Sequence, residues 1–315
     1  MNTSAYPLDV ITCGEAMAMF VAQETGDLAE VNHFTKRIAG AELNVSIGLS
    51  RLGLNVGWVS RIGNDSFGRF TLETLKKEGI DSRGVTVDDA FPTGFQLKSK
   101  AENGTDPKVE YFRKGSAASH LSVADFDRAY FAGARHLHLS GVAAALSPES
   151  LALSNHAAAE MRAMGKTISF DPNLRPVLWP SQQVMCEKLN ELAFQADWVL
   201  PGLKEGQILT GRDTPEAIAD FYLEQGVRAV IIKLGADGAW FKTADGHQQH
   251  VSAVHVAHVV DTVGAGDGFA VGVISALLEG KPLADAVMRG NKIGALAVQA
   301  IGDSEGLPTR QQLGE

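Results

Sequence analysis

A chain of 315 residues, 45% hydrophobic and 21% charged, can bury one large core plus a small appendage and has an ordinary globular composition. A formal net charge of −9 and a pI near 5.5 exclude a nucleic-acid surface and oppose anionic substrates at long range, so local arginines must hold any such substrate. Cys13 and Cys186 are too few for a disulfide framework and lack the CxxC spacing of a zinc site, which predicts a reducing, cytoplasmic location.

Met1 to Pro7 has neither a basic nor an apolar segment of signal-peptide type, and the longest apolar run, Phe269 to Leu278, is too short to span a bilayer. Asp9 to Cys13 predicts a buried first strand. Ala16 to Ala22 and Phe34 to Ile38 predict two short strands projecting from the main body. From Gly40 the apolar spacing of Leu43, Ile47 and Leu52 predicts a helix ending at Gly53, with Asn44 in its first turns. Val56 to Ile62 predicts a strand and Gly63 to Glu78 a loop and helix, closed by Gly79-Ile80-Asp81. Strand, helix and strand at this spacing indicate a parallel sheet.

Thr93 to Lys100 and Val109 to Lys114 flank a loop with an Asn103-Gly104 turn signal and predict a β-hairpin. With the strands before Gly40 it would form a small second sheet covering a site, a lid built from about 15–39 and 91–115 of a single 1–315 domain. From Arg135 strands alternate with helices: His136 to Ser140, Pro148 to Met164, Thr167 to Asp171, Ser181 to Gln195, Trp198 to Leu200, Pro215 to Gln225 and Ala229 to Leu234. Gly238 to Lys242 and a strand at Val254 to Val260 follow. This alternation specifies a three-layer α/β/α body with ligands at the carboxyl ends of its strands.

Asp261-Thr262-Val263-Gly264-Ala265-Gly266-Asp267-Gly268-Phe269 then enters an apolar helix. A helix start offers unpaired N–H groups and partial positive charge, and Gly264 and Gly266 would let an anion reach them. A carboxylate in such an anion hole repels phosphate unless it handles a proton beside it, as a kinase requires. A dinucleotide fingerprint would want a third glycine at Phe269, and a P-loop a lysine after Gly266. A tight turn with an Asp cap is the structural alternative. His255 and His258 fall on opposite faces of the expected strand, and His136 and His138 lack a third ligand nearby in sequence. All four are expected as surface or partly buried histidines rather than metal ligands.

The Gly40-to-Gly53 helix with Gly63-Asn64-Asp65-Ser66-Phe67-Gly68, and the late Asp261-to-Asp267 stretch, resemble the two signatures of the ribokinase-like (phosphofructokinase-B) sugar kinases. The likeness runs the length of the chain. It implies ATP-dependent phosphorylation of a sugar-like hydroxyl with Mg2+, and a mostly parallel three-layer fold with a β-lid. It implies Asp267 as general base, and Gly264, Ala265 and Gly266 as the anion hole. Lys233, Gly235, Ala236 and Gly238 would form the nucleotide loop, and Asn291 would close the adenine pocket. Asp261 and Val263 would help to bind a monovalent cation such as K+. Family lids pair into homo-oligomers, and no nucleic-acid or membrane partner is implied. Where relatives carry Asn-x-x-Glu near the Mg-phosphate site this chain has Gly202-Leu203-Lys204-Glu205, so only Glu205 carries over.

Tyr111-Phe112-Arg113-Lys114-Gly115-Ser116-Ala117 and Asp171-Pro172-Asn173-Leu174-Arg175 resemble the 2-keto-3-deoxygluconate kinase branch. A sugar acid brings a carboxylate that suits a guanidinium fork, and on a strand Tyr111 and Arg113 share one face. With the resemblance, Gly40, Asn44, Gln96, Tyr111, Arg113, Arg175 and Asp267 are the expected substrate contacts. Gln96 stands where relatives often have an aromatic. The product would be the 6-phosphate. Fructokinase and 5-keto-2-deoxygluconate kinase are the alternatives within the family, and a non-catalytic sugar-binding regulator the alternative outside it.

Overall fold

The computed structural model describes residues 7–100 and 107–314. In chain order the elements are β1 Leu8–Cys13, β2 Met17–Ala22, β3 Phe34–Ala39, α1 Ala41–Arg51, β4 Val56–Gly63, α2 Ser66–Lys77, β5 Asp81–Asp88, β6 Phe95–Lys98 and β7 Val109–Phe112. They continue with α3 Arg128–Ala132, β8 Ala134–Ser140, α4 Gly141–Ala144, α5 Pro148–Ala163, β9 Thr167–Asp171, α6 Gln182–Ala193, β10 Trp198–Val199, α7 Leu203–Thr210 and α8 Pro215–Leu223. The last are β11 Ala229–Lys233, β12 Ala239–Thr243, β13 Gln248–Val251, α9 Ala265–Leu278, α10 Leu283–Ala297 and α11 Arg310–Leu313.

A nine-stranded sheet runs in the order β13-β12-β11-β10-β9-β8-β1-β4-β5. All neighbours from β11 to β5 are parallel, and β12 and β13 fold back antiparallel. Side chains alternate across the sheet, so adjacent residues feed opposite cores. Ile11, Leu137, Val230 and Ile232 pack with α5, α6, α7 and α8. Val10, Ala229 and Ile231 pack with α1, α9, α10 and α11. These are the three layers expected from the sequence.

The second sheet has the order β3-β2-β6-β7. β2 and β3 form one antiparallel pair and β6 and β7 another, joined by a parallel pairing of β2 with β6. The Asn103-Gly104 turn lies outside the described residues. Phe20, Phe95 and Phe112 of this sheet make a ring cluster with Phe67 of α2, which fixes the sheet against the main body.

One predicted strand is absent. β13 ends at Val251, and the 252–262 segment, expected as a strand from Val254 to Val260, has no regular structure. Val254, Val259 and Val260 are each more than a third exposed, and Val254, Val256 and Val259 instead line a cavity. Their apolar spacing reflects a cavity wall, not a sheet face. Two histidines also differ from expectation: His136 and His138 are fully buried, both hydrogen-bonded to Ser169 Oγ at 2.8 and 2.9 Å. Burial holds His138 down at about 3 and His136 well below the usual range, so both are neutral core residues.

Candidate active site

α9 begins at Ala265, four residues earlier than the apolar run suggests, and this places Asp267 in its first turn. The first helical hydrogen bond runs from Gly268 N–H to Gly264 C=O at 2.8 Å, so the amides of Ala265, Gly266 and Asp267 have no intrahelical acceptor. Gly264 caps the helix at φ 84°, and a Cβ there would lie 2.3 Å from the Asp303 carbonyl oxygen. Only glycine satisfies both the left-handed backbone and that contact. A glycine cap therefore opens three aligned donors towards any anion that arrives.

Asp267 is buried, and its Oδ2 accepts 2.8 Å from Asn44 Nδ2 of α1, while Oδ1 lies 3.4 Å from Asn173 Nδ2. Burial pushes its carboxyl up to about 8. Asn44 opposes that shift, while Asp171, Asp303 and Glu42 reinforce it. Asn44 Oδ1, also buried, has no partner among the described residues and so remains an acceptor for a ligand hydroxyl. Asn173 is the only non-glycine among the described residues with positive φ, 39°, a backbone conformation of the kind that collects at binding sites.

Two cavities meet here. A cavity of about 420 Å³ lies under the small sheet, lined by Gly40, Asn44, Gln96, Tyr111, Arg113 and Arg175 among others, with Asp267, Gly264 and Gly266 on its wall. The strand reading joined Tyr111 and Arg113 on one face. β7 stops at Phe112, yet both residues line this cavity, with the guanidinium 5.9 Å from the Tyr111 ring centroid. Arg113 pairs with Glu15, which also accepts from Ser116 Oγ, while the buried Arg113 Nε has no partner among the described residues. Arg175 donates to the Leu174 carbonyl at 2.9 Å.

The larger cavity, about 1020 Å³, lies on the far side of Gly266 and is lined by Gly235, Ala236, Gly238, Ala265, Phe269 and Asn291 among others. Lys233, Thr262 and Gly266 belong to both cavities. Lys233 Nζ is 2.7 Å from Asp171 Oδ2. Burial works against its charge, but Asp171 and Glu205 outweigh that and raise its pKa. The Asn291 amide holds the Val251 and Ser252 carbonyls at 3.1 and 3.0 Å, which fixes the end of β13 as a wall. Glu205 accepts from Gly202 N–H at 2.7 Å and Leu174 N–H at 2.8 Å. The former bond closes the start of α7 where the usual Asn is absent.

The family model for the pfkB family carbohydrate kinases matches residues 8–310. The chain belongs to this family. It is 55% identical over 307 residues to the 2-dehydro-3-deoxygluconokinase of Bacillus subtilis, covering 97% of this chain and 94% of that protein. It is 32% identical to the 2-dehydro-3-deoxygluconokinase of Thermoproteus tenax, covering 98% and 94%. Among solved structures, a PfkB protein from Polaromonas sp. JS666 superposes with a TM-score of 0.90 at 52% identity, covering 98% of this chain and 99% of that one. A putative ribokinase II from E. coli in complex with ATP and Mg2+ gives 0.87 at 29% identity, covering 95% and 96%. A fructokinase from Vibrio cholerae with fructose, ADP and potassium ion gives 0.85 at 28%, covering 98% of each chain.

The chain thus presents two adjoining cavities that share Lys233, Thr262 and Gly266. Every residue expected to act in catalysis or to bind substrate, nucleotide or cation lines one of the cavities except Asp261, which is buried behind the glycine loop. Sequence reasoning missed Glu15, Lys98, Asp171, Asn173 and Asp303, all on the smaller cavity. Asp171 and Asn173 stood inside a quoted motif from which only Arg175 was carried forward. Lys98 and Asp303 are 205 residues apart and meet only through the fold.

Proposed function

We propose that the chain transfers the γ-phosphoryl group of ATP to the terminal hydroxyl of 2-dehydro-3-deoxygluconate, giving the 6-phosphate. The observation that carries this reading is Asp267, a buried carboxyl held by Asn44 Nδ2 at 2.8 Å beside the free amides that open α9, where an arginine-walled cavity meets a second one. The relatives at 55% and 32% identity, both 2-dehydro-3-deoxygluconokinases, support the sugar acid. A carboxylated substrate also accounts for Arg113 and Arg175 in a chain of net charge −9.

ATP occupies the larger cavity, its base beside Asn291 and its phosphates running past the Gly235 to Gly238 turn towards Lys233 and the α9 amides. The sugar acid lies under the small sheet, its carboxylate on Arg113 and Arg175 and its hydroxyls on Tyr111, Gln96, the Gly40 backbone and Asn44 Oδ1. Asp267 takes the proton of the terminal hydroxyl as that oxygen bonds to the γ-phosphorus and the bond to the ADP oxygen breaks. Amides of Ala265, Gly266 and Asp267 stabilise the charge on the equatorial oxygens. Glu205 would offer a hard oxygen donor to Mg2+, which would offset the phosphate charge of ATP, while Asp171 is held by the Lys233 ammonium at 2.7 Å. The small sheet excludes water as the sugar site closes. The kinase works in the cytoplasm, as its two free thiols suggest, and as a homo-oligomer in which the exposed edge strand β7 pairs with another copy.

The test is ADP release on 2-dehydro-3-deoxygluconate, 5-dehydro-2-deoxygluconate and fructose by the wild type and by Arg113→Ala and Arg175→Ala. The reading predicts the highest kcat/KM on the first substrate. Each arginine variant should lose about 10- to 1000-fold there and much less on fructose. Equal losses on fructose would deny the arginines a carboxylate, the highest kcat/KM on fructose would make it a fructokinase, and sugar binding without ADP release a regulator.

A further inference from the structure

Lys98 is the most deeply buried charged lysine of the small sheet, 1% exposed, and its ammonium is shared between Asp261 Oδ2 at 2.7 Å and Asp303 Oδ1 at 3.1 Å. Both carboxylates belong to the loops that shape the anion hole. Asp261 accepts from Val263 N–H at 3.1 Å and Gly302 N–H at 3.4 Å, and the Asp303 backbone is what Gly264 packs against. Burial disfavours the charge on Lys98, but Asp303 and Asp261 outweigh it and raise the pKa of the ammonium. Two buried carboxylates behind a phosphate site would repel each other and the phosphate without such a charge.

A monovalent cation at Asp261 and Val263 does not fit these residues, because the Asp261 carboxylate is already committed to an ammonium. A metal ion on it would face a like charge a few ångströms away. We propose that Lys98 is a built-in cation for the anion hole, a positioning residue that does the work of a bound K+ and ties the sheet over the sugar to the loops around the phosphate. The role assigned to the anion hole rests on the kinase reading, but the ion cluster itself does not.

Thermal melts and initial rates are compared in KCl, NaCl and tetramethylammonium chloride for the wild type, Lys98→Ala and Lys98→Met. The wild type is expected to change by less than about twofold in rate and not in Tm between the salts. Lys98→Ala is expected to lose kcat by about 10- to 100-fold without K+, and to regain Tm and several-fold of that rate when K+ fills the space left by the ammonium. Lys98→Met keeps the side-chain volume and blocks that space, so it should stay slow in all three salts. A wild type stabilised or activated by K+ overturns the proposal, even if neither variant folds. So does a Lys98→Ala enzyme whose only defect is a higher KM for the sugar, unmoved by K+. A protein inactive on every sugar would end the kinase reading, while the melts still decide the role of Lys98.

Discussion

Asp267 is a buried carboxyl whose protonation ties the stability of the fold to pH. Its carboxyl is held at about 8 against an ordinary 3.8, chiefly by burial, so the native protein keeps a proton that the unfolded chain has released. The contribution of this group to stability is therefore full below about pH 4 and is lost progressively up to about pH 8. Asp267→Asn cannot titrate, so its advantage in Tm over the wild type should grow from about pH 5 to pH 8 and then level off. Calorimetric melts across that range check this, and a gap independent of pH would mean that the carboxyl is not perturbed. Asp267, the glycines and Arg113 could be read from the chain because each belongs to a short pattern with its own chemistry. Glu15 and Lys98 could not: an acid after a strand and a lysine on a hairpin look like solvated charges until packing buries them.

At the scale of elements, α9 is the axis of the site, and its position depends on its contact with α10. A Cβ on Gly272 would fall 2.5 Å from the backbone of Gly290 on α10, so the two helices touch backbone to backbone. Gly272→Val should separate them at a cost of about 1–3 kcal/mol, lowering Tm and reducing kcat more than it raises the KM for ATP. Unchanged melting and turnover would show that the helices repack freely. The apolar run was enough to place α9, but its start was read four residues late because glycines and an aspartate hide a helical first turn. The 252–262 segment failed in the opposite direction, since valines that wall an open cavity carry the same alternation as a strand. α7 gave no signal of its own, being eight residues long with Gly206 inside it.

Across the whole molecule, the order of strands and helices was legible because buried parallel strands read as short apolar runs and their crossovers as longer amphipathic ones. Sheet order was not, since β1 lies between β8 and β4, and β2 pairs with β6 across 70-odd residues of intervening chain. That long-range pairing builds the roof of the smaller cavity and brings Lys98 onto Asp261. With the roof, the glycine loop and the two cavities in place, the proposed chemistry reduces to one proton transfer at the start of α9. Turnover of 2-dehydro-3-deoxygluconate by Asp267→Asn, with saturating ATP and Mg2+, tests that directly. The account predicts kcat lower by about two to four orders of magnitude, with ATP still bound as measured by its effect on Tm. A variant that turns over like the wild type would contradict it.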